Sequence, residues 1–566
     1  MRLAIQGCSH GELDAIHASL LRIEREQSLP IDALLLCGDF QAIRNHSDLH
    51  ALAVPQKYLQ LGDFHSYYSG EKVAPVLTLV IGGNHEASNY MHELYHGGWL
   101  APNIYFLGAA GVVELGGLVV SGISGIWKQN DYNKGRFERL PYDAGTVRSS
   151  YHTREFDVMR LKAMAGSQVD IAMSHDWPNT IEQWGDTKWL IQKKPYFKDE
   201  IEASTLGSPP AMELLQLLKP SFWFSAHLHV RFAAIYTHDS TANGKADQAT
   251  ALASNANPEA LDISLDSDDD DAQATATLGN PLAAEANTAE SRPSSSNRPV
   301  SPTSSSAPVT RFLALHKCLS HSPFLQIIDH PSPHDSDLEA RKSALNYTQR
   351  IPPTFRYSKR WLAITRATHA HFSTQYRQPS LPDPLSPAFQ AQVEAEERWI
   401  EQHILSSPRS GKRKQDDRDG LASTGSAEEQ GDSLDIHRIQ QFVRTAPAPF
   451  EPGGLNTGPP AWYTNPQTEA FCAFVGIENK INPRPSGFAP AAQVYVPPHA
   501  RAPPVATAEG GAQEDVADPN ALAIDMDDLD DGDEAPAAGG DDQSEEVLRL
   551  SDDEDELHAR WKEGTG

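Results

Sequence analysis

Five short apolar runs in this chain share one feature: each ends beside side chains that can bind a metal ion. The runs are RLAIQG, IDALLLCGD, PVLTLVIGGN, DIAMSHD and FWFSAHLHV. They predict buried β-strands, and helical patterns such as GELDAIHASLLRIEREQS alternate with them, which favours an α/β fold with parallel strands. The polar residues that follow the runs are Cys8, His10, Asp39, Asn84, His85, His175, His227 and His229. Because sites in α/β sheets form beyond the carboxyl ends of strands, we expect these side chains to meet in one crevice.

The residue types in this set suit a pair of divalent cations. Asp39 has two carboxylate oxygens and could bridge two ions, Asn84 offers a carbonyl oxygen, and neutral imidazoles suit zinc, iron and manganese. Two ions about 3.5–4 Å apart lower the pKa of a bridging water and stabilise the oxygens of an in-line phosphoryl displacement. His85 directly follows a ligand, so it could face the substrate and give a proton to the leaving oxygen.

Each of these features has an ordinary explanation when it is taken singly. A cysteine at a strand end is most often packed in the core, and SHD or HLH is usually a surface turn or a hydrogen-bonded histidine. The ordered set from Cys8 to His229 argues against that explanation, because every member follows a predicted strand.

The ordered motifs resemble those of the calcineurin-like metallophosphoesterases, whose pattern is D-x-H, GD, GNHE, H and G-H-x-H. Two positions depart from that pattern: Cys8 stands in place of the first Asp, and Ala226 in place of the Gly in the last motif. The resemblance implies a sandwich of mixed β-sheets flanked by helices, here with a long disordered insert and C-terminal tail.

Longer stretches are similar to one branch of that superfamily, the RNA lariat debranching enzymes. These stretches are GCSHGELDAI, LLLCGDFQAIRN, GGNHEASNY, GGWLAPNIYFLG, SGIWKQNDYNKGRFERLPYD, SHDWP, FWFSAHLHVRF and FLALHKCL. The similarity covers residues 1–237, resumes at 310, and includes TEAFCAFVGIENKINP at 468–483. It implies hydrolysis of the 2′–5′ phosphodiester at the branch point of excised intron lariat RNA, which gives linear intron RNA for turnover in mRNA splicing.

The resemblance also implies a role for each residue of the set. One metal ion would be held by Cys8, His10, Asp39 and His229, and the other by Asp39, Asn84, His175 and His227. His85 would protonate the departing 2′ oxygen. The Cys8 thiolate favours Zn²⁺ or Fe²⁺ over Mg²⁺, and Mn²⁺ stays open for the second position.

The segment 127–155 mixes cationic and aromatic residues. Cations neutralise phosphates, and aromatic faces stack on the unpaired bases that a branch point exposes. The alternative is a solvated loop that its aromatic residues anchor to the core. The resemblance includes a substrate-recognition loop at this place, and the RNA contacts that we select are Tyr132, Lys134, Arg136 and Tyr142.

Composition predicts which parts of the chain form a core. Residues 1–237 and 310–375 are predicted to form one catalytic domain, interrupted by a low-complexity insert at 238–309 that buries too little apolar surface to fold. The pattern GVVELGGLVVSGISGI predicts a hairpin within the domain, and RFLALHKCL, FLQIID and RYSKRWLAIT are expected as further strands.

The region 376–566 is expected to be mostly disordered. Within it, short helical or docking segments are predicted at 386–405 and 468–483, and an acidic tail at 514–558. This tail holds 19 acidic residues and one arginine. The C-terminal region could bind splicing or RNA-turnover factors.

The formal net charge of −29 lies outside the predicted catalytic domain. Residues 1–237 carry 20 basic and 25 acidic side chains, and residues 310–375 carry 9 and 4, so the two pieces together are neutral. An anionic substrate is therefore compatible with the domain.

Four scattered cysteines and the lack of any run of 18 apolar residues predict an intracellular, soluble protein without disulfides or a membrane span. The first residues do not form the apolar core of a secretory signal. The cluster GKRK at 411–414 could be a nuclear import signal, so the nucleus is the expected location, with shuttling to the cytoplasm left open.

Two other functions compete with RNA debranching. A phosphatase for phosphoproteins or small phosphate esters would need neither Cys8 nor the 127–155 segment. A non-catalytic splicing scaffold of the same fold would not need seven ligands together with His85.

Overall fold

The computed structural model describes residues 1–28, 30–238, 307–332, 352–406 and 432–485. In this part of the chain the strands are β1 (Arg2–Gln6), β2 (Ala33–Leu36), β3 (Leu77–Val80), β4 (Gly98–Ala101), β5 (Ile104–Phe106), β6 (Ala110–Leu115), β7 (Leu118–Ile123), β8 (Ile171–Ser174), β9 (Phe222–Ser225), β10 (Phe232–Thr237), β11 (Val309–Ala314), β12 (Leu325–Asp329) and β13 (Phe355–Tyr357).

The helices surround these strands. They are α1 (Leu13–Gln27), α2 (Phe64–Ser69), α3 (Ser88–Glu93), α4 (Gln129–Tyr132), α5 (Thr146–Ser149), α6 (Glu155–Lys162), α7 (Thr187–Lys193), α8 (Lys198–Ala203), α9 (Pro209–Leu218), α10 (Lys359–Thr368), α11 (Pro387–Ile400), α12 (Ile436–Ile439) and α13 (Pro466–Val475). Short 3₁₀ turns lie at His46–Ala51, Gln56–Tyr58, Ile181–Trp184, Pro195–Phe197 and His369–His371, and a π-helical turn lies at Glu401–Leu405.

The strands form two mixed sheets. The six-stranded sheet has the order β12-β1-β2-β3-β5-β4, and the seven-stranded sheet has the order β10-β11-β9-β8-β7-β6-β13. In the first sheet β1, β2, β3 and β5 run parallel, and β12 and β4 are antiparallel edges. In the second, β7, β8, β9 and β11 run parallel, and the other pairings are antiparallel. This confirms the predicted sandwich of mixed sheets flanked by helices.

One hydrophobic core lies between the two sheets. Leu34 and Leu79 of the first sheet and Val120, Met173 and Phe224 of the second belong to it, and all five are fully buried or nearly so. A second core covers the other face of the seven-stranded sheet, where α6, α9 and α10 pack. Because the central parallel strands are buried on both faces, their sequences are continuous apolar runs rather than alternating ones.

The predicted first helix and hairpin are both present. α1 buries Leu13, Ile16 and Leu20 on one face and ends at Ser28, which adopts a left-handed conformation and donates its N–H to the Glu24 carbonyl. The hairpin pairs β6 with β7 from Ala110↔Ile123 to Leu115↔Leu118.

The prediction of a strand over RYSKRWLAIT is wrong for most of that stretch. Only β13 is a strand there, and α10 follows it directly. The Ser358 side chain accepts a hydrogen bond from the Trp361 N–H at the start of α10. Trp361, Leu362, Thr365 and Thr368 are buried. Seven of the ten residues of this helix are buried, and in the sequence such a continuous run resembles a buried strand as much as a helix.

Residues beyond 375 pack against both cores. Phe389 and Val393 of α11 are buried in the second core, and Ile400 lies in the first. α13 overlaps the predicted docking segment 468–483, and it buries Phe471 and Val475. The domain boundary predicted at 375 therefore lies inside the packed part of the chain.

A buried ionic network joins the C-terminal part to the loop that follows β2. The Arg44 guanidinium is fully buried and donates to Asp48 through Nε (2.8 Å) and Nη2 (3.0 Å). Its Nη1 donates to Glu93 Oε1 and Thr445 Oγ1, both at 2.8 Å. The Asn45 amide also donates to the Pro447 carbonyl (2.8 Å). Residues 445–447 therefore stabilise the loop that follows β2 through hydrogen bonds.

Several predicted segments lie outside the described residues. They are most of the 238–309 insert, the GKRK cluster and the 514–558 tail. β10 and β11, on either side of the insert, pair along their whole length up to Thr237↔Val309. All four cysteines are described, and each is a free thiol. Among the described helices, none is both long and apolar enough to cross a membrane.

Candidate metal centre

Five loops bring the predicted ligands together. The loops follow β1, β2 and β3 of the first sheet and β8 and β9 of the second, so the parallel strands of both sheets direct their carboxyl ends to one place. His10, Asp39, His227 and His229 have positive φ values of 46°, 48°, 65° and 46°. Such conformations cost roughly 1–3 kcal/mol each in residues other than glycine, and they persist where the surrounding structure holds them.

Glycines allow these loops to approach one another closely. A Cβ atom on Gly83 would lie 2.2 Å from Asp39 Oδ1, and one on Gly38 would lie 2.3 Å from His175 Nδ1. Any side chain at either position would displace a candidate ligand.

Cys8, His10, Asp39 and His229 form the first cluster. One potential ligand atom from each residue lies within 4.8 Å of the others. The Nε2 atoms of His10 and His229 face each other at 3.2 Å, and Asp39 Oδ2 lies 3.8 Å from His10 Nε2. The Cys8 sulfur accepts a hydrogen bond from the His227 backbone N–H (3.2 Å).

Asn84, His175 and His227 lie on the other side of Asp39. His175 Nε2 is 3.3 Å from Asp39 Oδ1 and 3.0 Å from Asn84 Oδ1. The rings of His175 and His227 are 5.0 Å apart between centroids. The two carboxylate oxygens of Asp39 therefore face two different groups of potential ligands.

The protonation states of these side chains favour the binding of a cation. Burial lowers the pKa of His10 to about 4, of His227 to about 3 and of His229 to about 2, so these rings are neutral near pH 7 and keep a free lone pair. Burial alone would raise the pKa of Asp39, but His175 and His85 outweigh it and hold that pKa well below its usual range. Burial and the nearby Asp39 raise the pKa of the Cys8 thiol.

These observations fit a pair of divalent cations. The donor set combines a thiol, an amide oxygen, a carboxylate and four imidazoles, which are established ligands of zinc, iron and manganese. The contact between two neutral imidazole nitrogens at 3.2 Å can hold at most one proton, whereas a cation would satisfy both lone pairs.

His85 lies beside the ligands. Its backbone N–H donates to Asp39 Oδ1 (2.9 Å), and its ring Nε2 is 3.1 Å from Asn84 Nδ2. Its ring centroid is 5.6 Å from that of His10. The side chain is partly exposed, in contrast to fully buried His175.

The sequence analysis missed the role of Glu86. Its buried carboxylate accepts hydrogen bonds from the N–H groups of Phe40, Gln41 and Gly83, all at 2.8 Å, and so ties the loop after β2 to the loop after β3. Glu86 is the last residue of the GNHE motif, but its role in joining the two loops is visible only from these contacts in the structure.

His316 and Lys317 were also missed. The His316 ring lies 6.3 Å from that of His229, and buried Lys317 contributes to the low pKa values of His10 and His229. The Cys318 N–H donates to the Cys8 carbonyl (3.0 Å), which places this stretch beside the site. Both residues follow β11, beyond the insert, and no local pattern connects them to the earlier motifs.

The four residues selected as RNA contacts have different surroundings. Tyr132 and Tyr142 are partly buried, and Lys134 pairs with Asp131 at 2.5 Å. Arg136 is only 9% exposed, and its Nη2 donates to Asp157 Oδ2 (2.7 Å). The charge of Arg136 is thus paired inside the protein, and contact of these four residues with RNA stays a prediction.

Comparison with known proteins agrees with the fold. Residues 1–231 match the family described as calcineurin-like phosphoesterase, and residues 307–480 match the C-terminal domain of lariat debranching enzymes. The fold and the cluster around Asp39 thus define a metallophosphoesterase, a class that uses divalent metal ions.

Relatives identify the branch of that class. The lariat debranching enzyme of Schizosaccharomyces pombe is 36% identical over 495 residues, which cover 85% of this chain and 96% of that enzyme. The enzyme of Drosophila pseudoobscura pseudoobscura is 37% identical over 492 residues, 85% of this chain and 78% of its own. The human enzyme is 44% identical over 368 residues, 65% of this chain and 54% of its own. The chain belongs to the lariat debranching enzyme family.

Proposed function

We propose that this protein hydrolyses the 2′–5′ phosphodiester at the branch point of intron lariat RNA. The observation that carries the proposal is the position of Asp39, whose two oxygens face two groups of ligands, in a chain of this family. Water adds across this bond and opens the ring, so the product is one linear intron RNA with a free 2′ hydroxyl at the former branch point and a phosphate at its 5′ end.

Seven residues would hold the two cations. The first position has Cys8, His10, Asp39 and His229, and the second has Asp39, Asn84, His175 and His227. When bound, the ions lower the pKa of a water and stabilise the phosphoryl oxygens in the transition state. The Cys8 thiolate favours Zn²⁺ or Fe²⁺ at the first position, and Mn²⁺ is a further candidate at the second.

The general acid in this proposal is His85. Its side chain is partly exposed beside the ligands, and its backbone N–H is fixed to Asp39 Oδ1, so the ring has a defined place near the reacting phosphate. Donation of a proton to the leaving 2′ oxygen prevents the build-up of charge on a poor leaving group.

The substrate is a branched RNA, and the 127–155 segment is the proposed binding region. Lys128 and Arg148 are exposed there, whereas Arg154 is buried and donates to Glu138 (2.5 Å). The segment thus offers few exposed cations, and several of its other charged side chains pair with one another. Binding of splicing or RNA-turnover factors by the C-terminal region and residence in the nucleus remain predictions.

A synthetic branched RNA, with a linear 3′–5′ RNA of the same composition as its control, tests the proposal. We expect cleavage of the branched RNA alone, and loss of cleavage after chelation with recovery on addition of Zn²⁺, Fe²⁺ or Mn²⁺. His85→Ala should keep metal content and RNA affinity but lower kcat by about 10²–10⁴-fold. Equal cleavage of both RNAs, or loss of metal from His85→Ala, would contradict the assigned substrate or the assigned role.

A further inference from the structure

An arginine outside the ligand set lies at the edge of the metal centre where β10 begins. Arg231 comes two residues after His229 and directly before the first residue of β10. The first residue of β10 pairs with the last residue of β11, so the stretches 229–231 and 315–317 leave the sheet side by side. We call these two stretches the β10 edge. Lys317 belongs to it as a second cation and is 5% exposed.

An amide, rather than a carboxylate, holds Arg231 in place. The residue is half-buried, and its Nη2 donates a hydrogen bond to Gln326 Oε1 (3.1 Å). Among the described residues, no acidic side chain forms an ion pair with this guanidinium, and no second acceptor bonds its other N–H groups. The Gln326 amide is itself fixed, because its Nε2 donates to the Ile327 carbonyl (3.1 Å). The glutamine therefore orients the guanidinium and leaves its positive charge uncompensated.

The arginines of the 127–155 segment are in a different state. Arg136 donates to Asp157 (2.7 Å), and Arg154 forms an ion pair with Glu138, so both charges are neutralised inside the protein. Partial burial of a charge without a counter-ion costs free energy, which an anionic ligand would recover. An unpaired, half-buried arginine next to a metal centre therefore indicates an anion-binding position.

The order of the seven-stranded sheet places Arg231 across the metal centre from the 127–155 segment. The segment follows β7, Arg231 precedes β10, and β8, β9 and β11 lie between them. The partner of Arg231 also lies at the site. The Phe324 carbonyl, two residues before Gln326, accepts a hydrogen bond from the N–H of Gly7 in the loop after β1 (3.2 Å). An RNA strand that crosses the ions from the segment therefore passes the β10 edge on its way out.

We propose that Arg231 binds a backbone phosphate of the RNA arm that leaves the metal centre over the β10 edge, with Gln326 as its positioning residue. This inference rests on the proposed function. The N–H groups that Gln326 leaves free suit phosphate oxygens, which a guanidinium binds through two parallel hydrogen bonds. A phosphate contact fixes the position of the RNA without reading its sequence, so the subsite should act on branched RNAs of any sequence.

Branched RNAs that carry one neutral methylphosphonate linkage at a time test this proposal. The scissile linkage stays unmodified, and kcat/KM is measured over a range of salt concentrations for the wild type and three variants. Arg231→Gln removes the cation. Gln326→Glu places a carboxylate beside it, which should neutralise the charge without lowering the melting temperature. Arg25→Gln is the matched control, because Arg25 is exposed in the last turn of α1, at the other end of the sheet. Metal content is recorded for every variant.

The expected result is a loss at a single phosphate. For the wild type, one methylphosphonate should lower kcat/KM by about tenfold, as expected for a hydrogen bond to a charged group. Arg231→Gln and Gln326→Glu should show a similar loss on unmodified RNA and almost no further loss on that methylphosphonate RNA. The slope of log kcat/KM against log salt should become less steep by about 0.7 in both variants. Arg25→Gln should behave like the wild type.

Two results would overturn the inference, and they differ in what else they affect. If both variants slow every methylphosphonate RNA by the same factor, or if Gln326→Glu keeps the wild-type rate and salt dependence, Arg231 binds no phosphate while the debranching function stands. If the wild type cleaves no branched RNA at all, the proposed function fails and this inference fails with it.

Discussion

Replacement of Arg44 by methionine should destabilise the protein strongly. Arg44 is fully buried, and it is paired with Asp48 and Glu93, which are 1% and 5% exposed. The substitution would leave two carboxylates in the interior without their cation. Each keeps other donors, such as the Asn89 amide to Asp48 (2.6 Å) and the Thr445 hydroxyl to Glu93 (2.7 Å). Breaking a buried pair on one side costs about 3–5 kcal/mol, and we expect a loss in that range.

The assay is urea unfolding of Arg44→Met beside a matched control, Lys359→Met. Lys359 also pairs with a carboxylate, Glu401 (2.8 Å), but the two side chains are 37% and 50% exposed. Exposed pairs contribute about 0–1 kcal/mol, so the control should unfold almost like the wild type. Limited proteolysis should also cut Arg44→Met more readily near Thr445, because that contact is lost. Equal stability of the two variants would refute the claim that this network holds the C-terminal part in place.

Three further predictions concern the metal preference, the pH dependence and the tail. Cys8→Asp should bind less zinc and gain relative activity with Mg²⁺, since it exchanges a soft ligand for a hard one; metal analysis and metal reconstitution check this, and an unchanged preference contradicts it. Burial lowers the pKa of His17 from 6.5 to about 4. As the pH falls, His17 is therefore protonated in the unfolded chain before it is protonated in the folded protein. The stability present above pH 6.5 should therefore decline by about 3 kcal/mol towards pH 4, and His17→Gln should lack that part of the decline in unfolding free energy. Deletion of residues 514–566 should leave the turnover of a short branched RNA nearly unchanged, and a large decrease would make the tail part of the active unit.

The metal centre could be predicted because its ligands follow strands that the sequence marks clearly. The strands that precede Asp39, Asn84 and His175 are buried on both faces. Each is therefore a continuous apolar run in the sequence, and the polar residue that ends the run marks the end of the strand. The chemistry of the side chains then limits what they can hold in common. The expectation that Asp39 is shared by two groups of ligands rests on the same reasoning, since it is the only carboxylate in the set.

The C-terminal part could not be predicted in the same way. The stretch around Thr445 is rich in proline and has little hydrophobic periodicity, and it is held by polar contacts to Arg44, Asn45 and the Tyr68 hydroxyl. Such contacts join residues nearly 400 positions apart and leave no local pattern. The pairing of Arg136 with Asp157 could not be predicted for a related reason: the two residues lie 21 positions apart and no local pattern connects them.

The pairing of β10 with β11 has a practical consequence. Because the last residue of β10, Thr237, pairs with the first residue of β11, Val309, the sheet itself fixes the two ends of the intervening chain as neighbours. Doubling the length of a flexible connection between fixed ends costs only about 0.6 kcal/mol in closure entropy. A fluorescent reporter or an affinity tag placed between the two strands should therefore leave the folded enzyme intact.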